Sequence, residues 1–190
     1  DRLEFEPRSP FRLLQAPDGS SFDDISQSLG VGPYWVRGHA GGFSDFILAS
    51  DLRRPDIGVA EKLDRMDTQL TTFGPQIDPG LLSELHAEHD QVELSFDAGN
   101  TAQAIDNLDL YIETVVTNAG QDGIPNSSDG STPSVAGVLL GTARSLRLSL
   151  VLFKQPPPVE TGFVATTLDL SAGRRLHARF FVASNDGNIS

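Results

Sequence analysis

The sequence predicts an α+β protein in which an antiparallel bundle of three to four helices is flanked by short β-strands at both termini. Three observations carry this prediction: a turn-rich, strand-like segment at residues 1–54, helical periodicity over 55–154, and two strand-like runs within 155–190. With 190 residues, the chain is long enough to bury a core of its own.

The segment 1–54 contains four candidate strands, at residues 2–6, 11–14, 34–37 and 43–49. They are rich in aromatic and aliphatic residues and are bounded by turn formers such as Pro7 and the pair Gly41-Gly42. A loop is expected around Pro17-Asp18-Gly19. The segment is predicted to be β structure, and it could be the end of a β-sandwich.

Apolar residues recur every three to four positions over 55–154, which predicts a helical bundle. The expected inward stripes are Val59, Leu63, Met66, Leu70 and Phe73, then Leu82, Leu85, His89, Val92 and Phe96, then Ile105, Leu108, Ile112 and Val115, and finally Val135, Val138, Leu139, Ala143, Leu146 and Leu150. The pairs Gly74-Pro75 and Gly99-Asn100 are expected to end the first two helices. Thr132 or Ser134 is expected to cap the last.

After Pro156-Pro157-Pro158, two strands are predicted at 163–170 and 176–183, joined by a turn at 171–173. The sequence leaves open whether these strands pair with those of 1–54 in one sheet or form a separate β module.

The stretch FDAGNTAQAI at 96–105 is followed by Leu108, by Tyr111-Ile112 and, after a loop, by Val138-Leu139-Leu140. In this order, residues 81–152 resemble the FIMAH-type helical module of secreted and surface-attached bacterial proteins. The resemblance implies a spacer or interaction unit without catalytic residues.

The stretch GHAGGFSDF at 38–46, preceded by Trp35, is similar to the closing strand of β-sandwich repeats in bacterial surface proteins. This second resemblance implies a β module that leads into a helical stalk. Together the two resemblances imply an extracellular, cell-surface or periplasmic location.

The composition argues against several functions. The 26 acidic and 14 basic residues give a net charge of −12, so the chain repels nucleic acids and anionic membranes. Because it has no cysteine, disulfides, thiolate nucleophiles and cysteine zinc sites are excluded. The apolar run at 146–153 is too short and too polar to span a bilayer, so no membrane span is expected.

No Gly-x-Ser-x-Gly elbow or other catalytic motif occurs in the sequence, so no catalytic residue is assigned and the protein is not expected to be an enzyme.

No cofactor is expected, with calcium as the possible exception. The polar loop 121–130 resembles part of a calcium-binding thrombospondin type 3 repeat. Its Asp122, Asn126 and Asp129 could supply oxygen ligands, and the alternative is a solvated polar loop.

The residues Glu84, His86, Glu88, His89 and Asp90 form the densest group of possible metal ligands. The two histidines are three residues apart, whereas helical zinc sites usually place them four apart. The alternative is an exposed His86 and a His89 at the edge of the bundle.

Tyr34 and Trp35 in a strand could stack on sugar rings if they face solvent. The alternative is a core position for at least one of them, because neighbouring strand residues point to opposite faces.

These observations favour a non-enzymatic structural or assembly module of a bacterial surface or secreted protein. The bundle would be the spacer, and exposed strand edges would dock other protein chains or neighbouring modules in a homo- or hetero-oligomer. The alternative is a calcium- or carbohydrate-binding module.

Overall fold

The structure is a computed structural model that describes residues 11–16, 22–30, 35–41, 45–51, 54–120, 123–126, 133–154, 162–163 and 182–183. It confirms the predicted α+β class, with four helices and short antiparallel strands. In chain order, the elements are β1 (Phe11–Ala16), β2 (Asp23–Asp24), β3 (Ser26–Gly30), β4 (Trp35–Gly38), β5 (Asp45–Ser50), α1 (Pro55–Phe73), α2 (Pro79–Asp97), α3 (Thr101–Asn118), α4 (Val135–Lys154), β6 (Gly162–Phe163) and β7 (Val182–Ala183).

The helix boundaries lie where local sequence predicts them. Asp78 precedes α2, and its carboxylate accepts hydrogen bonds from the backbone N–H groups of Gly80 and Leu81. Gly99, with φ of 74°, allows the sharp reversal between α2 and α3. Ser134 is the residue that caps α4, because its hydroxyl accepts a hydrogen bond from the Gly137 N–H at 3.0 Å.

The four helices pack as a closed ring in which each contacts two others, with α4 returning against α1. Most residues of the predicted stripes lie in the interior, whereas Leu82, Ile112 and Val138 are only partly buried. Residues at their ends, such as Phe73, Phe96 and Ile105, are partly buried and pack against the core from its margin. Tyr111, absent from the predicted stripes, is fully buried.

Helix α4 carries the largest share of the core. By length and composition alone, it is apolar enough to cross a membrane, with a mean hydropathy of 1.5. However, 67 % of that window is buried inside the protein, and a core helix passes the same test. The run at 146–153 therefore represents only part of an apolar helix that Arg144 and Arg147 interrupt on its outer side.

The N-terminal strands form two small antiparallel sheets, one in the order β2-β1-β5 and the other made of β3 and β4. The expected turn at Pro17-Asp18-Gly19 lies outside the described residues, and strands β2 and β3, which follow it, were not predicted. Ile25, which separates these strands, is 6 % exposed, and its N–H donates to the carbonyl of Leu13 at 3.0 Å. Packing of this residue outweighs the low strand propensity of its Asp, Ser and Gln neighbours.

Residues 1–155 form one compact unit and residues 156–190 a second. In the second unit, β6 pairs antiparallel with β7. The predicted strand at 2–6, the turn at 171–173 and most of the predicted terminal strands lie outside the described residues. The division into 1–54, 55–154 and 155–190, and a pairing of 155–190 with 1–54, stay predictions.

Candidate functional site

Among the strands that the structure describes, β5 lies at the edge of its sheet and exposes a run of large apolar side chains. It pairs along its whole length with β1, from Phe11 opposite Ser50 to Ala16 opposite Asp45. In the part of the chain that the structure describes, no strand lies on its other side. Phe46, Ile47 and Leu48 are 45 %, 41 % and 62 % exposed.

Such an edge is unusual for a protein that stays alone in water. Edge strands present unpaired backbone N–H and C=O groups, and natural proteins usually protect them with charges, prolines or bulges. Apart from Asp45 at its first position, β5 contains no charged residue and no proline that would provide this protection. The strand can therefore accept another strand both by hydrogen bonding and by burial of its side chains.

A buried ion pair fastens the sheet behind β5 to the helical bundle. The ammonium of Lys62 on α1 lies 2.6 Å from Oδ2 of Asp24 on β2, and both side chains are 7 % exposed. The same ammonium donates to the hydroxyl of Ser149 on α4 at 2.7 Å. Burial lowers the pKa of Lys62, while the charge of Asp24 acts in the opposite direction.

Further polar contacts extend this junction. Oδ1 of Asp24 accepts a hydrogen bond from the Ser26 N–H at 2.9 Å. Nε of Arg12 on β1 lies 3.6 Å from Oδ2 of Asp24, the oxygen that also contacts Lys62. Arg65 on α1 pairs with Asp23 at 2.6 Å. Strands β1 and β2 are thus tied to α1 and α4, which fixes the position of β5 relative to the bundle.

A close backbone approach provides a second attachment. The loop from His39 to Gly41 lies on α4, and the Ser134 N–H donates to the Gly41 carbonyl at 2.9 Å. A Cβ atom at Gly41 would lie 2.5 Å from Cγ2 of Val138 and 2.9 Å from its backbone nitrogen. The contact therefore requires glycine for reasons of space.

Gly41→Ala is expected to lower the free energy of unfolding by about 1–3 kcal/mol, because helix or loop must move to admit the methyl group. The matched control is Gly58→Ala in α1, where a Cβ would meet nothing within 4 Å. That change should raise stability by about 0.5–1 kcal/mol through the helix propensity of alanine. Urea denaturation of both variants measures the difference, and equal effects would disprove the close approach.

The predicted sugar-binding residues are placed only in part. Trp35 opens β4 opposite Gly30, which confirms a strand at this position. The Tyr34 residue and the Trp35 side chain lie outside the described residues, so carbohydrate binding stays a prediction.

The predicted calcium ligands are also placed only in part. Asn126 is exposed, and its Oδ1 accepts a hydrogen bond from the Ser134 hydroxyl at 3.0 Å. Asp122 and Asp129 lie outside the described residues. Calcium binding by this loop stays a prediction.

The predicted histidine group is divided by the fold. His89 is 4 % exposed, which confirms its predicted place in the inward stripe of α2 and not the alternative position at the bundle edge. Its Nε2 faces the Leu63 carbonyl at 3.1 Å and carries the proton there, because a carbonyl only accepts. His89, Asp90 and Glu93 place ligand atoms within 4.8 Å of one another, although both carboxylates are exposed, as such groups commonly are without a metal.

The ion pair between Asp24 and Lys62 was not predicted from the sequence. One indication was present, since Lys62 lies between Val59 and Met66 on the apolar face of its helix. A charged residue within such a stripe requires a partner. The sequence gives no means of choosing Asp24 among 26 acidic residues.

Comparison with known proteins identifies one family. Residues 1–154 match the model of a family described as a family of unknown function (DUF6689). The match covers the first compact unit almost completely. No curated protein and no solved structure matches the chain.

Proposed function

We propose that this chain, which belongs to the DUF6689 family of unknown function, is a non-enzymatic structural module that assembles through strand β5. The observation that carries the proposal is the unprotected edge of β5 with Phe46, Ile47 and Leu48 exposed. The setting that we propose is the surface or exterior of a bacterial cell, and it rests on the resemblance of residues 81–152 to FIMAH-type modules.

The occupant that we propose for the edge is β5 of a second copy, added antiparallel about a two-fold axis. Residues directly opposite each other in an antiparallel pair share one face of the sheet, so the two-fold axis must pass beside a single residue. In a pairing centred on Ile47, the two Ile47 residues lie opposite each other, Phe46 lies opposite Leu48, and the only charged residue of the strand, Asp45, lies opposite Ala49. The pairing thus joins apolar residues to apolar residues and keeps the two carboxylates apart.

The helical bundle suits the role of a spacer. Its core is continuous across four helices, and the sheet is attached to it by the Asp24–Lys62 pair and by the Gly41 contact. A force that acts on β5 is therefore transmitted to the bundle through these contacts. A loosely tethered strand would not transmit it.

Leu48→Lys is expected to weaken self-association at least about tenfold, because each lysine would lie opposite Phe46 of the second copy and would bury its ammonium group in an apolar interface. Size-exclusion chromatography with light scattering over a range of protein concentrations measures the effect. The matched control is Leu94→Lys on α2, since Leu94 is 63 % exposed and Leu48 is 62 % exposed.

The control variant should associate as the unchanged protein does. If the unchanged protein is a monomer at all concentrations, or if both variants associate equally, the proposed role of β5 is wrong. Circular dichroism of each variant establishes that the fold is retained.

A further inference from the structure

A groove of about 400 Å³ lies between the β3–β4 hairpin and the outer face of α4. Three arginines line it, Arg37 from β4 and Arg144 and Arg147 from α4. Only 14 of the 190 residues are basic and the net charge is −12. A concave site with three guanidinium groups is therefore a marked departure from the rest of this chain.

The guanidinium groups in the groove differ in how they are engaged. Arg147 donates from Nε and from a terminal nitrogen to the two oxygens of Asp109, at 2.6 and 3.1 Å. This pair holds the Arg147 side chain in place and leaves its remaining N–H groups available. Arg144 is half-buried and forms no ion pair within the described part of the chain.

An unpaired amide adds a further donor. The Gln27 side chain from β3 lines the same groove, and its Nε2 atom is buried without a hydrogen-bond partner among the described residues. A buried donor without a partner costs about 1–3 kcal/mol, and such groups often mark a site where a ligand completes the hydrogen bonds. The hydroxyl of Ser28 provides another polar group beside it.

We propose that this groove binds a small organic anion, whose carboxylate or phosphate group is held by Arg144 and Gln27. Arg37, which already interacts with another group, adds its positive charge to the groove. Guanidinium forks match the paired oxygens of both groups. Leu148 and Val151 line the α4 side and provide apolar contact for a carbon skeleton. The volume suits a small molecule, and the acidic surface elsewhere disfavours a nucleic acid. This inference goes beyond the assembly role and does not rest on it.

The test uses the 190-residue chain with two probes, succinate for a carboxylate source and glycerol 3-phosphate for a phosphate source. Isothermal titration calorimetry at constant ionic strength measures binding, and sodium chloride serves as the non-specific reference. We expect one of the two probes to bind, and the tighter one identifies the anionic group. If neither binds beyond the effect of chloride, the proposal is wrong.

Arg144→Gln is expected to weaken binding of the preferred probe at least about tenfold, since hydrogen bonds to charged groups have at least that effect on affinity. Arg144→Lys should be intermediate, because it keeps the charge and loses the fork. Arg54→Gln is the matched control. Arg54 precedes α1, pairs with Asp56 in the first turn of that helix and does not line the groove. Equal affinity of Arg144→Gln and the unchanged protein would overturn the proposal.

The Arg144 variants are not expected to unfold, because this side chain is partly exposed and forms no ion pair among the described residues. A second measurement keeps the test independent of their stability. In the unchanged protein, the Nε–Hε resonance of Arg144 should move on addition of the preferred probe, while that of Arg54 stays in place. Movement of both resonances to the same extent would indicate general ionic effects and contradict the proposal.

Discussion

Asp24→Asn is expected to lower the free energy of unfolding by about 3–5 kcal/mol, the typical cost of leaving one member of a buried ion pair unpaired. The Lys62 ammonium would keep the Ser149 hydroxyl, at 2.7 Å, but would lose the carboxylate that compensates for its burial. Thermal and urea denaturation measure this loss. Because the pair joins β2 to α1, the strands should become more mobile relative to the bundle.

The matched control is Asp56→Asn, which removes the carboxylate from the exposed Arg54–Asp56 pair. Exposed pairs contribute about 0–1 kcal/mol, so this variant should remain close to the unchanged protein. The double variant Asp24→Asn/Lys62→Met should recover much of the loss, because an apolar side chain replaces the unpaired charge. Similar effects of Asp24→Asn and Asp56→Asn would show that the buried pair does not hold the sheet.

The pH dependence of the Asp24→Asn variant follows from the pKa of Lys62. Burial lowers that pKa from its ordinary value of 10.5, so between the lowered pKa and 10.5 the unfolded chain binds more protons than the folded one. Stability from this group therefore rises with pH in that window. Since Asp24 raises the pKa of Lys62, its removal extends the window to lower pH. The stability difference between the variant and the unchanged protein should consequently shrink as the solution becomes alkaline.

Tyr111→Ala is expected to lower the free energy of unfolding by about 3–5 kcal/mol, the usual cost of truncating a buried aromatic side chain. Tyr111 on α3 is 0 % exposed and is the largest fully buried side chain of the described chain. The cavity would lie within the four-helix core, where its neighbours are held by the ring of helices. Calorimetric unfolding measures the loss.

Tyr111→Phe provides the control, because it keeps the ring and removes only the hydroxyl. That hydroxyl is buried and has no hydrogen-bond partner among the described residues, so its removal should be neutral or stabilising. Burial also raises the pKa of Tyr111 above its ordinary value of 10.0. The folded chain then holds a proton that the unfolded chain loses above pH 10, so the unchanged protein should become progressively less stable than Tyr111→Phe at higher pH. A large loss of stability in Tyr111→Phe at neutral pH would contradict this description of the core.

The helical part of the fold was predictable because its determinants are local. Stripes at helical spacing, the carboxylate of Asp78 and the turn at Gly99 each act over a few residues, and the structure has the helix boundaries where they indicate. Strands β2 and β3 were not predictable in this way. Their residues favour loops, and only the distant packing around Ile25 makes them strands.

The strand that forms the candidate site was predictable from the sequence, but its place at the edge of a sheet was not. Residues 43–49 have the composition of a strand, and the structure places β5 at Asp45–Ser50. Composition does not reveal which edge or face of a strand will be covered, because that depends on the order of strands in the sheet. The Asp24–Lys62 pair joins residues 38 positions apart, so no local pattern connects them. The arginine groove likewise forms only where β3, with its partner β4, meets α4.

Amide hydrogen exchange of residues 45–50 at low and high protein concentration tests the central claim most directly, because it measures the proposed interface itself. We expect the outward amides of β5 to exchange slowly in concentrated protein and rapidly in dilute protein. In Leu48→Lys they should exchange rapidly at both concentrations. Exchange of β5 that does not depend on concentration in the unchanged protein would contradict assembly through this strand.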